Sequence, residues 1–364
     1  MTDLDKVRVQ IQHVDQQLEQ LLDRRFELSE QVAQSKMQSG GAVYNKEREE
    51  FLLSRLSAPN LLEKTRLFSA VIRMSRQRQY TMLAQNGLWN GPETHILPAD
   101  TPVLTVGPAG SYSQAAAAQM YSDRRPRLCQ TFDQVFAQVR QGGCIGVIPL
   151  ENSTAGTVND VYNLLARHNL YIIKDYHLPI NHLLCTAQPG EISDIKKIVS
   201  HQQAVMQCSE FIAKHSLETS FAQTTAQAAQ LVKERNDPAL GVICSRQAAQ
   251  ENRLFVMSEA VANAAINQTR FIALYSCPVE AQSPTHCTLN FILPHTVGSL
   301  SQVLSIFSDF GFNLSKIVSL PEPQTPWEYS FFVDVSLDGN HRALNALIFM
   351  LESELPFVKV LGIY

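Results

Sequence analysis

Apolar residues recur at Leu4, Val7, Ile11, Val14, Leu18 and Leu21 and resume at Leu28 and Val32. This three-four spacing predicts a helix supercoiled against another helix. The position missing from the series is 25, and it carries Arg25. A guanidinium on such a seam costs several kcal/mol unless something anionic compensates it. A later helical stripe begins with Phe68 and Ile72 and continues with Ser75 and Gln79, again polar groups on an apolar face. Between the two, Arg48 and Glu49 open a short helix one turn before Leu52 and Leu53. Lys36 lies eleven residues after Arg25, about 20° off the same helix face and roughly 16 Å along the axis.

Residues 86–102 are rich in Gly, Pro and Asn and read as a linker. From Val103 the period changes. Short β-like runs at 102–106, 144–148, 170–173, 197–199 and 240–243 alternate with helical stretches, which predicts an α/β sheet. After a second break at Ser283-Pro284 the order is β-α-β-β-α-β: strand 288–293, helix 298–310, strands 314–320 and 329–335, helix 341–351 and strand 357–362.

The chain has 364 residues, and about 150 residues per domain suggests two or three domains. A formal charge of −4 leaves no overall basic field to attract nucleic acid. No run approaches the ~18 apolar residues that span a bilayer. The first thirty residues carry interspersed acids and read as no signal peptide, so a cytoplasmic protein is expected. Seven cysteines, an odd count without a C-x-x-C pair, argue against a disulfide framework or a zinc site, and nothing calls for a metal or cofactor.

Arg25 and Lys36, with Ser75 and Gln79, direct cationic and hydrogen-bonding groups into one helical core. An internal salt bridge is one reading, and a pocket for a small dianion is the other. The segment 1–85 resembles the all-helical class of chorismate mutase, in the pattern Arg8, Arg25, Lys36, Arg48, Glu49, Ser75 and Gln79. Asn45 stands where relatives often carry Asp. The resemblance implies Arg8 and Arg25 on the substrate carboxylates, Lys36 and Gln79 at the ether oxygen, and Glu49 with Asn45 at the ring hydroxyl. The reaction is pericyclic, so holding a compact conformer and stabilising charge on the breaking ether is what the protein must do. Arg8 and Arg25 are seventeen residues apart, about 25 Å along a straight helix. If both act on one ligand, Arg8 comes from a second chain, and an interlaced homodimer or higher homo-oligomer is expected.

In the α/β segment, Val106-Gly107-Pro108-Ala109-Gly110-Ser111-Tyr112-Ser113 is a strand and a glycine loop opening a helix, whose N–H groups could hold a carboxylate. It is no G-x-G-x-x-G, which disfavours a nicotinamide enzyme. Glu151-Asn152-Ser153-Thr154 ends a strand, where ligands bind in open α/β sheets, although a helix N-cap would use the same residues. Ser200-His201-Gln202-Gln203 follows another strand, with Gln207 on the helix after it, and Thr269-Arg270-Phe271 precedes the strand 272–275. Together these resemble prephenate dehydratase over 103–282, with Gln202 where relatives usually have Pro. The resemblance implies two periplasmic-binding-protein-like lobes with crossings near 180 and 265. It implies a substrate set of Glu151, Asn152, Ser153, Ser200, His201, Gln207, Thr269 and Arg270, with Thr269 the essential hydroxyl. His201 reads more readily as a surface or structural histidine than as a catalytic one.

Residues 286–364 resemble an ACT regulatory domain of α+β ferredoxin-like fold, with Gly298, Leu300 and Asn313 as effector residues. The family's Glu-Ser-Arg-Pro sensor is replaced by Val318-Ser319-Leu320-Pro321, so phenylalanine is expected to act weakly or not at all. The whole chain thus resembles the bifunctional chorismate mutase–prephenate dehydratases, a multidomain fold of all-α, bilobed α/β and α+β parts. Chorismate and prephenate are its expected substrates. The same architecture acting on arogenate, or a silent amino-acid-binding regulator, are the alternatives.

Overall fold

The computed structural model describes residues 2–259, 261–264, 266–321 and 329–364. Two compact units emerge, one of residues 1–93 with 284–363 and one of residues 94–283 with 364.

In the first unit α1 (Asp3–Ser39) is one continuous helix. Thr2 and Asp5 close a capping box at its start, and Gly40 at φ 73° ends it by donating its N–H to Lys36 O. A reverse segment leads to α2 (Lys46–Ser54), and α3 (Leu61–Gln85) packs back along α1. Only the end of α1 is closed over, with Ser29 and Ala33 buried. The seam that should supercoil stands open within one chain: Leu18 is 46% exposed and Leu21 67% exposed.

The other part of this unit is a four-stranded antiparallel sheet with two helices, Ser299–Asp309 and His341–Glu354. It shares one apolar core with the helical segment, in which Ala33, Val43, Tyr80 and Leu83 meet Phe291, Phe307, Leu347 and Leu351. Tyr80 packs edge-on against Phe349, with ring centroids 5.1 Å apart.

The second unit has two lobes. Strands β1 (Val103–Val106), β2 (Arg127–Cys129), β3 (Ile145–Asn152), β4 (Gly156–Thr157) and β5 (Tyr171–Pro179) build the first. The chain crosses at residues 180–182 to β6 (Leu183–Thr186), β7 (Lys197–Ser200), β8 (Glu218–Phe221), β9 (Leu240–Cys244) and β10 (Phe255–Ser258). It returns as β11 (Gln268–Tyr275), which inserts between β3 and β5. Sheet orders are β2-β1-β3-β11-β5, with β4 on β3, and β10-β6-β9-β7-β8. Gly146 lets the helix Phe132–Arg140 lie directly on β3, since a Cβ there would sit 2.7 Å from Val135 Cγ1.

The last four strands are β12 (His286–Ile292), β13 (Asn313–Pro321), β14 (Tyr329–Ser336) and β15 (Phe357–Ile363), in the order β13-β14-β12-β15. No helix among the described residues is long and apolar enough to cross a membrane.

Candidate active sites

Between α1 and α3 four of the anticipated side chains meet. Arg25 Nη1 donates to Val71 O at 3.1 Å and to Ser75 Oγ. Lys36 Nζ donates to Val43 O at 3.1 Å and Gln79 Oε1 at 3.2 Å. Ser75 and Gln79 follow each other by one turn on α3, both buried, as the interrupted stripe requires. Neither cation has a carboxylate at ion-pair distance among the described residues. Burial lowers both pKa values from their ordinary range, and the Glu49 charge partly restores them. Half-buried positive groups with no carboxylate at ion-pair distance make a site that favours an anion. A cavity of about 240 Å³ lies beside Lys36, lined also by Val43, Tyr44, Tyr80 and Phe349; Arg25, Ser75 and Gln79 do not line it.

Glu49 is oriented by a residue the sequence reading missed. Arg76 Nη1 donates to both Glu49 oxygens at 2.6 Å, while its Nε donates to Glu354 at 2.7 Å. Its guanidinium lies 5.1 Å from the Tyr44 ring centroid. Burial pushes the Glu354 carboxyl up to about 6 against the pull of Arg76. Arg76 sits one turn beyond Ile72, so the same periodicity that singles out Ser75 contained the signal.

Three anticipated residues stand apart. Arg8 is exposed near the far end of α1, about 25 Å from Arg25 by helix rise. Arg48 is exposed, with its guanidinium 5.6 Å from the Phe51 ring centroid. Asn45 caps α2, its Oδ1 accepting from Arg48 N at 2.8 Å.

In the second unit, β3 and β11 run antiparallel with Asn152 opposite Thr269 and Glu151 opposite Arg270. Side chains of successive strand residues point to opposite faces, so the two pairs occupy different sides of the sheet. On one side Asn152 Nδ2 donates to Thr269 Oγ1 at 2.9 Å and to Asn267 Oδ1 at 2.7 Å. Asn152 Oδ1 accepts from Thr154 Oγ1 and from the N–H groups of Thr154 and Ala155. Gln207 Nε2 donates to Thr154 Oγ1 at 2.5 Å. On the other side Arg270 is already neutralised: Nη1 donates to Glu151 at 3.1 Å, Nε to Asp175 at 2.9 Å and Nη2 to Tyr364 Oη at 2.7 Å. Arg270 and Glu151 therefore stand away from Thr269, as a buried ion pair rather than as groups shared with it.

The other anticipated residues already have partners within the protein. Ser200 is fully buried and its hydroxyl donates to Ile243 O at 2.6 Å, which closes it within the sheet. His201 caps the helix Gln202–Gln207, Nδ1 accepting from Gln203 N at 3.3 Å. Ser153 Oγ accepts from Gln268 N at 3.0 Å and ties the turn to β11. The glycine loop uses its own N–H groups, Gly107 to Cys129 O and Gly110 to Gln114 Oε1, which leaves it a poor carboxylate cradle. His182 and Asn267, neither of them anticipated, are buried and bonded to Gln207. Asn267 opens the run that contains Thr269-Arg270-Phe271, His182 belongs to no recognisable motif, and both lie where the chain crosses between lobes.

In the carboxy-terminal sheet, Gly298 at φ 84° starts the helix Ser299–Asp309 and Leu300 packs on the core. Asn313 begins β13 beyond the other end of that helix. The eleven-residue helix lies between them, about 16 Å long, so one small ligand cannot touch both in a single chain.

Against known proteins, residues 7–80 match the model of chorismate mutase type II and residues 103–278 that of prephenate dehydratase. A bifunctional chorismate mutase/prephenate dehydratase of Buchnera aphidicola subsp. Acyrthosiphon pisum is 32% identical over 98% of this chain and 95% of its own length. That of Enterobacter agglomerans is likewise 32% identical over 98% of this chain and 95% of its own. Among solved structures, prephenate dehydratase in complex with L-Phe from Arthrobacter aurescens matches with a TM-score of 0.65 and 28% identity. It covers 72% of this chain and 89% of that one.

Proposed function

The chain belongs to the bifunctional chorismate mutase/prephenate dehydratase family, and from that premise we infer how its residues divide the two reactions. It converts chorismate to prephenate and prephenate to phenylpyruvate.

The mutase step is carried by Arg25 and Lys36, and the observation that supports this is that neither has a carboxylate at ion-pair distance among the described residues. Arg25 binds a substrate carboxylate. Lys36 and Gln79 donate to the ether oxygen as its bond to carbon breaks and charge grows there. For that, Gln79 turns its amide from Ser75 O towards the ligand. Glu49, held by Arg76, accepts from the ring hydroxyl. Arg8 reaches the pocket from a second copy of the chain, and Arg48 closes over it when substrate arrives.

The dehydratase step belongs to Asn152 and Thr269. As the carbon–carbon bond to CO₂ breaks, its electron pair enters the ring, and the ring expels its hydroxyl to become aromatic. Thr269 donates through its O–H to that leaving oxygen, the net proton coming from solvent, so the products are phenylpyruvate, CO₂ and water. Gln207 and Asn152 line this place. Ser153, Ser200, His201 and the Glu151–Arg270 pair support the walls.

The functional protein is a homodimer joined along α1. The half-exposed seam from Leu4 to Leu21 supports this, because a heptad face of that length is stable only when another helix covers it. Leu18→Asp should convert dimer to monomer in sedimentation analysis and lower mutase activity about 10-fold or more, because Arg8 is lost from the partner's pocket. A wild-type monomer with full mutase activity would contradict it.

Residues 286–364 form an ACT-type, ferredoxin-like regulatory domain, which the β-α-β-β-α-β order supports. Its effector site would join Gly298 and Leu300 of one copy to Asn313 of another. A reducing cytoplasm suits seven free thiols, six of them buried. Incubation with chorismate should yield prephenate and then phenylpyruvate. Millimolar phenylalanine should slow the second step by less than about half, because Val318 and Leu320 replace the charged sensor residues. Steep sigmoidal inhibition would refute the regulatory half of this reading.

A further inference from the structure

The hydrogen bonds around Thr269 have a direction that can be read from their fixed ends. Thr154 N–H and Ala155 N–H only donate, at 3.0 and 2.9 Å, so the Asn152 atom facing them is its oxygen. Its amide nitrogen then faces Asn267 Oδ1 and Thr269 Oγ1. Asn267 in turn donates to Gln207 Oε1 at 3.1 Å, Gln207 to Thr154 Oγ1 and Thr154 to Asn152 Oδ1 at 2.7 Å. Four side chains from three distant parts of the chain thus form a closed ring in which every donor points the same way.

His182 joins this ring from the first lobe crossing. It is 4% exposed, with Nε2 at 2.8 Å from Gln207 Oε1 and Nδ1 at 3.1 Å from Tyr112 Oη. Burial lowers its pKa from the ordinary 6.5, although the Gln207 bond opposes this, and the ring is neutral at pH 7. A neutral imidazole has one N–H, and the carboxamide oxygen in front of Nε2 places it there.

We propose that His182 is a positioning residue of the dehydratase: its Nε2–H locks the Gln207 amide and thereby the one-way ring that holds Thr269 Oγ1 as an acceptor towards Asn152, with its own O–H turned out to the leaving hydroxyl. This rests on Thr269 being the hydroxyl that meets the substrate. Without the imidazole N–H, Gln207 Oε1 keeps only the Asn267 donor, and the amide is held less firmly against turning its oxygen to Thr154. When it turns, the Thr154 proton leaves Asn152 Oδ1 and the ring opens; the Thr154 and Ala155 N–H groups still orient Asn152, but its hold on Thr269 loses one of three supports.

The test is dehydratase kinetics on the full chain for His182→Leu, His182→Asn, His182→Gln and Thr269→Ala, with mutase activity of each sample as an internal reference. A Gln amide reaches the Nε2 position, whereas an Asn amide reaches only the Nδ1 position. The expectation is kcat down about 10- to 50-fold with KM within about 2-fold for Leu and Asn, and recovery to within about 3-fold for Gln. The acid limb of the kcat–pH profile should be the same for Gln as for wild type. Wild-type kcat in Leu and Asn, or a Gln variant as slow as Asn, overturns the proposal. Loss of the acid limb in Gln also overturns it, by making His182 a proton donor. An active Thr269→Ala removes the reading underneath and this one with it, whereas an inactive Thr269→Ala beside a fully active His182→Leu overturns this one alone.

Discussion

Lys36→Ala should lower mutase turnover about 10²- to 10³-fold, roughly 3–4 kcal/mol of transition-state stabilisation, and leave dehydratase turnover within about 2-fold. The ammonium is half-buried and donates to Val43 O and Gln79 Oε1, with no carboxylate at ion-pair distance among the described residues. In the free protein that arrangement is unfavourable, since burial already lowers the Lys36 pKa. Such a group is tolerated when its favourable partner arrives with the substrate. Arg25→Ala should behave in the same way, because Arg25 also bonds only to a main-chain carbonyl and a hydroxyl. The companion measurement is thermal unfolding. Removing an uncompensated cation should leave Tm unchanged or raise it, the mark of strain retained for binding. A variant that unfolds several degrees earlier while keeping mutase activity would identify Lys36 as a structural residue. Both reactions failing together would contradict two sites in two units.

Thr269→Ala should give the reverse pattern, dehydratase kcat down about 10³-fold with mutase turnover intact. Thr269 Oγ1 accepts from Asn152 Nδ2, and its own proton has no recorded protein acceptor among the described residues. An O–H held by one firm bond and free at the other end is suited to meet a departing oxygen. Threonine is a weak acid, so the hydroxyl stabilises the leaving group by a hydrogen bond as it departs rather than by full transfer. Thr269→Ser keeps that O–H and should retain activity to within about 10-fold. Equal loss in Ser and Ala would show that the methyl group, through packing, is what matters.

Much of the mutase site was legible because a helix has one period. Arg25, Ser75 and Gln79 interrupt apolar stripes, and rise and rotation alone put Lys36 on the face of Arg25. Arg76 was overlooked although the same stripe passes through it, since a lone Arg on α3 reads as solvent-facing until Glu49 and Glu354 are seen on either side. In the dehydratase, strand alternation already implies that Thr269 and Arg270 look opposite ways. Which face carried the chemistry was not legible, because Asp175 and Tyr364, which occupy Arg270, lie about a hundred residues away on either side.

What the chain alone determined was local in origin: a long helix with a cation where an apolar residue belongs, strands ending in polar clusters, and a final β-α-β-β-α-β order. Each follows from spacing of a few residues, which backbone geometry converts directly into faces and ends. Only the tertiary structure decided that α1 leaves its seam bare, that Arg270 is closed off by carboxylates, and that Asn152, Thr154, Gln207 and Asn267 bond in a ring with His182 at its edge. Apart from the local Thr154–Asn152 bond, the bonds named depend on contacts between residues 25 to 119 positions apart, and no periodicity in a sequence records which distant donor will face which acceptor.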